Sequence, residues 1–235
     1  MASGGRVFNY GVSGQYATFS GAAFEVTTGT IAGWIKNLDE GNSGAFIGCN
    51  NAGTFAGYIF AWESGGFDQR FTFFDGTGWN FSNSIGAATA LAAGWHHVAV
   101  RWVGTGSRSG EFFLDGVSIG TFTPAAMGVA GGGTKNLNNY PGGGNGVGVE
   151  YSEWAIFGSS LSNGNITTLN GGASPKTLTP IEHWRFNQAG ATITGQMGYA
   201  NLTLINAPGT SADGPTVADP PASATRHRAH GILLG

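Results

Sequence analysis

The sequence is poor in charge. Asp, Glu, Lys and Arg make up 10% of its 235 residues, against roughly a quarter in an ordinary soluble domain. The formal net charge is −3 and no basic stripe runs along any segment, which argues against an electrostatic nucleic-acid binder. There is one cysteine, Cys49, so no intramolecular disulfide framework holds the chain. Cys49 follows Ala45-Phe46-Ile47-Gly48 and reads as a small core residue, with no activating base beside it in sequence. No apolar run is long enough for a membrane helix, and the first residues lack the apolar segment of a signal peptide. The expectation is a soluble chain made in a cytoplasm.

Glycine and aromatic side chains are plentiful. The chain carries 43 Gly, 16 Phe, 7 Trp and 6 Tyr. No Gly-X-Y repeat runs through it, which excludes collagen. The glycines instead punctuate short β-branched and aromatic runs, as turns between strands do. Gln15 to Phe19, Thr30 to Lys36, Ala45 to Cys49, Tyr58 to Trp62, Arg70 to Phe74 and Trp79 to Phe81 read as short strands. Val98, Val100 and Trp102 alternate with His97, Ala99 and Arg101, which predicts a strand with one apolar face. Asp115-Gly116 between Glu111 to Leu114 and Val117 predicts a hairpin, with Ser118 to Phe122 pairing back, because both turn residues tolerate positive φ.

A long Gly/Asn-rich loop is expected over 128–146, and strands over 153–157, 180–186 and 200–205. Ser162, with apolar Leu161, Ile166 and Leu169, predicts one short helix with Ser162 as its N-cap. The fold class is therefore all-β, a two-sheet antiparallel sandwich with one short helix and extended terminal arms. Residues 1–14 read as an N-terminal arm and 15–205 as the sandwich. Residues 206–235 read as a Pro-rich linker ending in a basic and apolar arm.

Five segments resemble the laminin-G-like, concanavalin A-like jelly rolls, in the expected order. They are Thr30-Ile31-Ala32-Gly33-Trp34-Ile35-Lys36, Gly94-Trp95-His96-His97-Val98-Ala99-Val100, Phe113-Leu114-Asp115-Gly116-Val117, Glu153-Trp154-Ala155-Ile156-Phe157 with Leu161, Ser162 and Ile166, and His183-Trp184-Arg185-Phe186. That fold hosts lectins, adhesion modules, glucanases and structural domains, so the resemblance specifies architecture more than activity. In size, glycine content and Pro-rich tail the chain also resembles virion proteins of tailed bacteriophages.

The candidate chemistry divides by residue type. Glucanases of this fold need two carboxylates on one strand face. Glu150 and Glu153 are the best pair, but their odd spacing points them to opposite faces of an unbroken strand. His96 and His97 face apart by the same rule and read as structural. His227 and His230 lack further ligands for a transition metal. No cofactor is expected. Calcium stays open through the resemblance, with Asp39, Asp68 and Asp75, and beside them Glu40 and Asn42, as candidates.

Carbohydrate is held by aromatic stacking with polar neighbours, and Trp62, Trp79, Asn139 and Tyr140 are placed to supply both. Trp34, Trp95, Trp102, Trp154 and Trp184 sit in strand motifs and read as core. Gly131-Gly132-Gly133-Thr134-Lys135 lacks the strand-to-helix setting of a phosphate loop. In the tail, Arg226, Arg228 and His230 form a basic patch, and Ile232, Leu233 and Leu234 an apolar plug suited to burial in a partner.

The leading expectation is a non-enzymatic structural or decorating subunit of a virion. It would attach through its arms to capsid or tail proteins and to copies of itself. A lectin-like module for cell-surface glycan is the alternative, and a glycoside hydrolase the remote one. Neither nucleic acid nor membrane is expected as a partner.

Overall fold

A computed structural model describes residues 4–9, 14–36, 38, 41–50, 56–65, 68–85, 91, 94–129, 131, 135–140 and 146–218. In chain order the strands are β1 (Gly5–Phe8), β2 (Tyr16–Phe19), β3 (Thr28–Lys36), β4 (Gly44–Asn50), β5 (Gly57–Gly65) and β6 (Asp68–Phe74). Next come β7 (Trp79–Phe81), β8 (His96–Val103), β9 (Ser109–Leu114), β10 (Val117–Phe122), β11 (Lys135–Leu137) and β12 (Val149–Phe157). Helix α1 (Asn163–Asn170) follows, then β13 (Glu182–Trp184), β14 (Thr192–Ile193), β15 (Leu202–Ile205) and β16 (Gly209–Ser211).

These strands form two antiparallel sheets packed face to face. The first runs β10-β9-β8-β3-β12-β1-β16, with β13 also on β12; the second runs β14-β15-β2-β11-β4-β5-β6-β7. Period-2 alternation sends Val98, Val100 and Trp102 from the first sheet into one core with Tyr58, Phe60, Phe71 and Phe73 from the second. Ring contacts such as Tyr58 on Trp102 at 4.7 Å and Phe73 on Trp102 at 4.9 Å tie the layers together.

The hairpin of β9 and β10 closes through Asp115 at φ 50° and Gly116 at φ 77°, the two left-handed residues its twist demands. The Ser162 side chain caps α1 by accepting from the Asn165 N–H. Buried Ile166 and Leu169 then pack with Ala32, Ala99, Phe113, Ala155 and Phe157 on the outer face of the first sheet. The helix thus covers part of that face, and the second sheet's outer face has no helix upon it among the described residues.

Three segments differ from the sequence reading. Gly5–Phe8, expected in the N-terminal arm, is β1 and sits between β12 and β16. Gly209–Ser211, expected in the linker, is the edge strand β16, and its pairing with β1 involves no central position that would suffer from the nearby prolines. Lys135–Leu137, expected in a long loop, is β11 and bridges β2 to β4. Each is a short strand whose pairing partners lie far away in sequence, so local pattern carries little of the signal.

Candidate functional site

The outer face of the second sheet is read directly from its register. Thr192 lies opposite Thr203, Thr203 opposite Thr18, and Thr18 opposite Asn136. The row continues through Gly48, Ile59, Phe74 and Trp79. Directly opposed residues share a face, and the alternate positions Ala17, Leu202, Leu137, Tyr58, Phe60 and Phe73 occupy the core. One row therefore grades from threonine and asparagine at one end to aromatic rings at the other.

A cleft of about 230 Å³ lies at the aromatic end, lined by Ser43, Trp62, Glu63, Thr72, Trp79, Phe81 and Tyr140. Trp79 and Phe81 are i and i+2 on β7, so both rings stand on the outer face; they are 41% and 40% exposed. Tyr140 meets Trp79 edge to face at 6.2 Å and packs over Ala45, Ile59 and Ala61. Phe74, directly opposite Trp79 on β6, flanks it at 5.2 Å.

Glu63 Oε2 accepts from Arg70 Nε at 2.6 Å, and the Arg70 guanidinium stacks over Phe81 at 3.9 Å. The carboxylate is thereby fixed beside the rings. Burial first, and the Glu63 charge second, push the Tyr140 phenol above its ordinary value, so it is a neutral donor at physiological pH. Exposed ring faces with a held carboxylate and hydroxyls are what stacking on a sugar and bonding its hydroxyls require.

Of the four residues expected to hold carbohydrate, Trp79 and Tyr140 meet in this cleft. Trp62 only borders it. Its ring points into the core against Phe71 at 5.5 Å and is 1% exposed, so it offers no stacking surface. The cause is parity, since Trp62 shares its face of β5 with Tyr58 and Phe60. Asn139 is nearly buried and does not line the cleft. The sequence reading missed Phe81, Glu63, Thr72 and Ser43; the i, i+2 relation to Trp79 was the available signal for Phe81.

The paired-carboxylate expectation is corrected in its geometry. A register shift between Ser152 and Ala155, with Glu153 at φ 52°, breaks the alternation of β12. Tyr151 and Trp154 consequently both enter the core, and Glu153 does not face opposite to Glu150 as expected. The Glu153 side chain is wholly sealed, bonded to His183 Nε2 at 2.6 Å and Arg185 Nε at 3.0 Å. An acid so enclosed meets no substrate.

The remaining candidates resolve individually. Asp75 is saturated: Oδ1 accepts from the Thr77 and Gly78 N–H groups, and Oδ2 from Asn80 Nδ2 and the Ala125 N–H. Burial alone raises its pKa, but those four donors outweigh it and hold the carboxyl below its ordinary value. Asp75 therefore closes a turn and has little to offer a calcium ion. Asp39 and Glu40 lie outside the described residues, Asp68 is described only as the first residue of β6, and Asn42 sits in the turn before β4. Among the described residues no three His, Cys, Asp or Glu side chains come together as a metal site.

His96 Nδ1 lies 2.8 Å from Asp115 Oδ2, while the buried His97 ring packs on Trp34 at 5.3 Å. Burial pushes the Cys49 thiol up to about 12, so it holds its proton. Lys135 Nζ is buried on Glu25 Oε1 at 3.0 Å. Arg226, His227, Arg228, His230, Ile232, Leu233 and Leu234 lie outside the described residues.

Comparison with known proteins adds the following. The family model of the concanavalin A-like lectin/glucanases superfamily matches residues 11–167. By sequence no curated protein matches the chain. Among solved structures, the native heptameric SAP-like pentraxin from Limulus polyphemus superposes with a TM-score of 0.64 at 14% identity, covering 93% of this chain and 98% of that one. A Bacteroides ovatus protein inferred to bind carbohydrate gives 0.63 at 13% identity, covering 93% of this chain and 62% of its own. The CBM40 of the Ruminococcus gnavus IT-sialidase gives 0.53 at 12% identity, covering 72% of this chain and 98% of its own. At these identities the likeness is one of fold.

Proposed function

Because the chain belongs to the concanavalin A-like lectin/glucanases superfamily, we propose that it is a non-catalytic, lectin-like module that binds glycan in the cleft of Trp79, Phe81 and Tyr140. The observation carrying this is the exposure of two rings on one face of β7 beside a fixed carboxylate, Glu63. Large aromatics left open to water at the mouth of a cleft mark a recognition surface. With a volume of about 230 Å³, the cleft suits a single sugar ring at a chain end and not a deeply held oligosaccharide. The sealed state of Glu153 supports a non-hydrolytic reading, since it removes one member of the best carboxylate pair. A glycan array with the full chain tests the proposal: saturable binding lost on Trp79→Ala supports it, and silence across the array overturns it.

A second reading rests on a different observation. β1 pairs with the edge strand β16, which sets Gly5 beside Ser211, and Ala218 then bridges Ala173, so the described chain is held on the sandwich up to that residue. We propose on that basis that terminal arms can anchor the sandwich in a large assembly, such as a tailed-bacteriophage virion, beside capsid or tail subunits and copies of itself. The low charge of the chain suits such packing. Deleting residues 222–235 is expected to abolish incorporation and leave the sandwich folded; normal assembly of the truncated chain contradicts the reading.

A further inference from the structure

A second cleft, of about 420 Å³, lies toward the other end of the same outer row, lined by Thr18, Phe19, Ser20, Tyr199, Ala200, Asn201 and Thr203. Five inter-strand steps separate β2 from β7, or about 24 Å at about 4.8 Å per step. Between them Gly48 and Asn136 are buried, and Tyr140 lies over neighbouring strands. The two clefts are therefore separate sites and not one groove. This one is built largely from residues 199–203, beyond the segment matched by the family model.

The wall of this cleft is held by an unusual anchor. Glu182 is fully buried, and its carboxylate accepts four backbone N–H groups. Oε1 takes those of His183 at 2.9 Å and Met197 at 2.7 Å; Oε2 takes those of Tyr199 at 2.8 Å and Ala200 at 2.9 Å. Trp184 Nε1 donates to the Ala200 carbonyl at 2.9 Å. A Cβ on Gly195 would stand 2.4 Å from Glu182 Oε2, so glycine is required where the loop wraps the carboxylate. Burying a carboxylate is costly and is tolerated only when its oxygens are fully bonded.

What this rigid loop displays is Tyr199, 65% exposed, and Asn201. Asn201 lines the cleft; its Oδ1 accepts from the Gly195 N–H at 3.1 Å, and its Nδ2 has no hydrogen-bond partner among the described residues. The hydroxyls of Thr18, Ser20 and Thr203 have no hydrogen-bond partner among the described residues. Among the described residues no charged side chain lines the space.

We propose that this cleft is a second binding site, for a neutral polyhydroxylated ligand of the saccharide class, with Tyr199 as the stacking surface and Asn201, Thr18, Ser20 and Thr203 as hydrogen-bonding groups. Uncharged donors and acceptors around one exposed ring match a ring of hydroxyls, while an ionised ligand would find no counter-charge there. The site stands on its own geometry and does not require the Trp79 cleft to bind.

The test is a ¹⁵N–¹H NMR titration of the full chain with the methyl glycosides of glucose, galactose, mannose and N-acetylglucosamine, and with N-acetylneuraminic acid as the charged comparison. The amides of Thr18, Ser20, Asn201 and Thr203 are expected to shift saturably with at least one neutral glycoside. Tyr199→Ala weakens that binding about tenfold or more, while Trp79→Ala leaves it unchanged. Absence of shifts at these amides with every neutral glycoside overturns the proposal, as does binding undiminished in Tyr199→Ala or a response to N-acetylneuraminic acid alone. The amides of Ser43, Glu63 and Thr72 report the other cleft in the same spectra, so failure of either site is seen separately.

Discussion

Trp79 and Tyr140 meet edge to face, with ring centroids 6.2 Å apart and planes at 89°. Neither ring lies flat on the other, so the corner between them stays open to the cleft. Tyr140→Ala removes one wall and the edge contact that steadies Trp79, a pair worth about 0.5–1.5 kcal/mol beyond burial. Glycan affinity is expected to fall about tenfold, while Tyr140→Phe, which keeps the ring, is expected to retain most of it. Calorimetric titration with a glycan identified on the array reads both variants.

Glu182→Gln keeps the shape but turns one carboxylate oxygen into a donor facing N–H donors. Loss of charge-assisted bonds of about 1.5–3 kcal/mol each, partly offset by local relaxation, points to a net destabilisation of about 3 kcal/mol. Urea unfolding measures it. Amide exchange of Met197, Tyr199 and Ala200 is expected to accelerate before the rest of the sandwich opens. An unchanged midpoint contradicts the anchoring role.

Stability is expected to fall with acid through His97. Burial is the first cause that lowers its pKa to about 4 from an ordinary 6.5, against the smaller opposing pull of Asp115. As pH drops, the unfolded chain takes up this proton near 6.5 while the folded chain refuses it until about 4. The contribution is therefore whole above the unfolded value and is lost as pH falls through the folded one, a change on the order of 3 kcal/mol. Asp75, also held low in the fold, adds a further loss at more acid pH. Urea titrations at pH 7.5 and 4.5 check the slope, which His97→Gln is expected to flatten.

Much of this architecture is legible in the sequence because it is written in local pattern. Alternating Val98, Val100 and Trp102 place β8, Asp115-Gly116 marks the hairpin, and Ser162 marks the helix start. Trp62 was equally legible, since it shares parity with Tyr58 and Phe60 and so belongs to the core. The Glu153 bulge was not. A non-glycine residue at φ 52° has no compositional marker, and one extra residue reverses every later side chain. The Glu182 anchor was hidden for another reason: its partners lie up to 18 residues away and use backbone N–H groups, which every residue but proline carries.

Gly33 faces the Trp154 indole so closely that a Cβ there would stand 2.4 Å from the ring. Trp154 is itself fixed by its Nε1 donating to the Trp34 carbonyl at 3.0 Å. Gly33→Ala is expected to cost at least about 1–3 kcal/mol by overpacking and to lower the thermal midpoint. Because the strain falls in the first sheet, glycan affinity at low temperature is expected to persist in the folded fraction.

Glycan binding by the exposed rings of β7 is the proposal on which the affinity predictions rest. Its most direct measurement is the affinity of the full chain and of Trp79→Ala for a glycan selected on the array, with thermal unfolding run in parallel. At 41% exposure, Trp79 contributes little to the core, so binding is expected to fall about tenfold or more at a nearly unchanged midpoint. Binding that survives Trp79→Ala undiminished, with the fold intact, contradicts it.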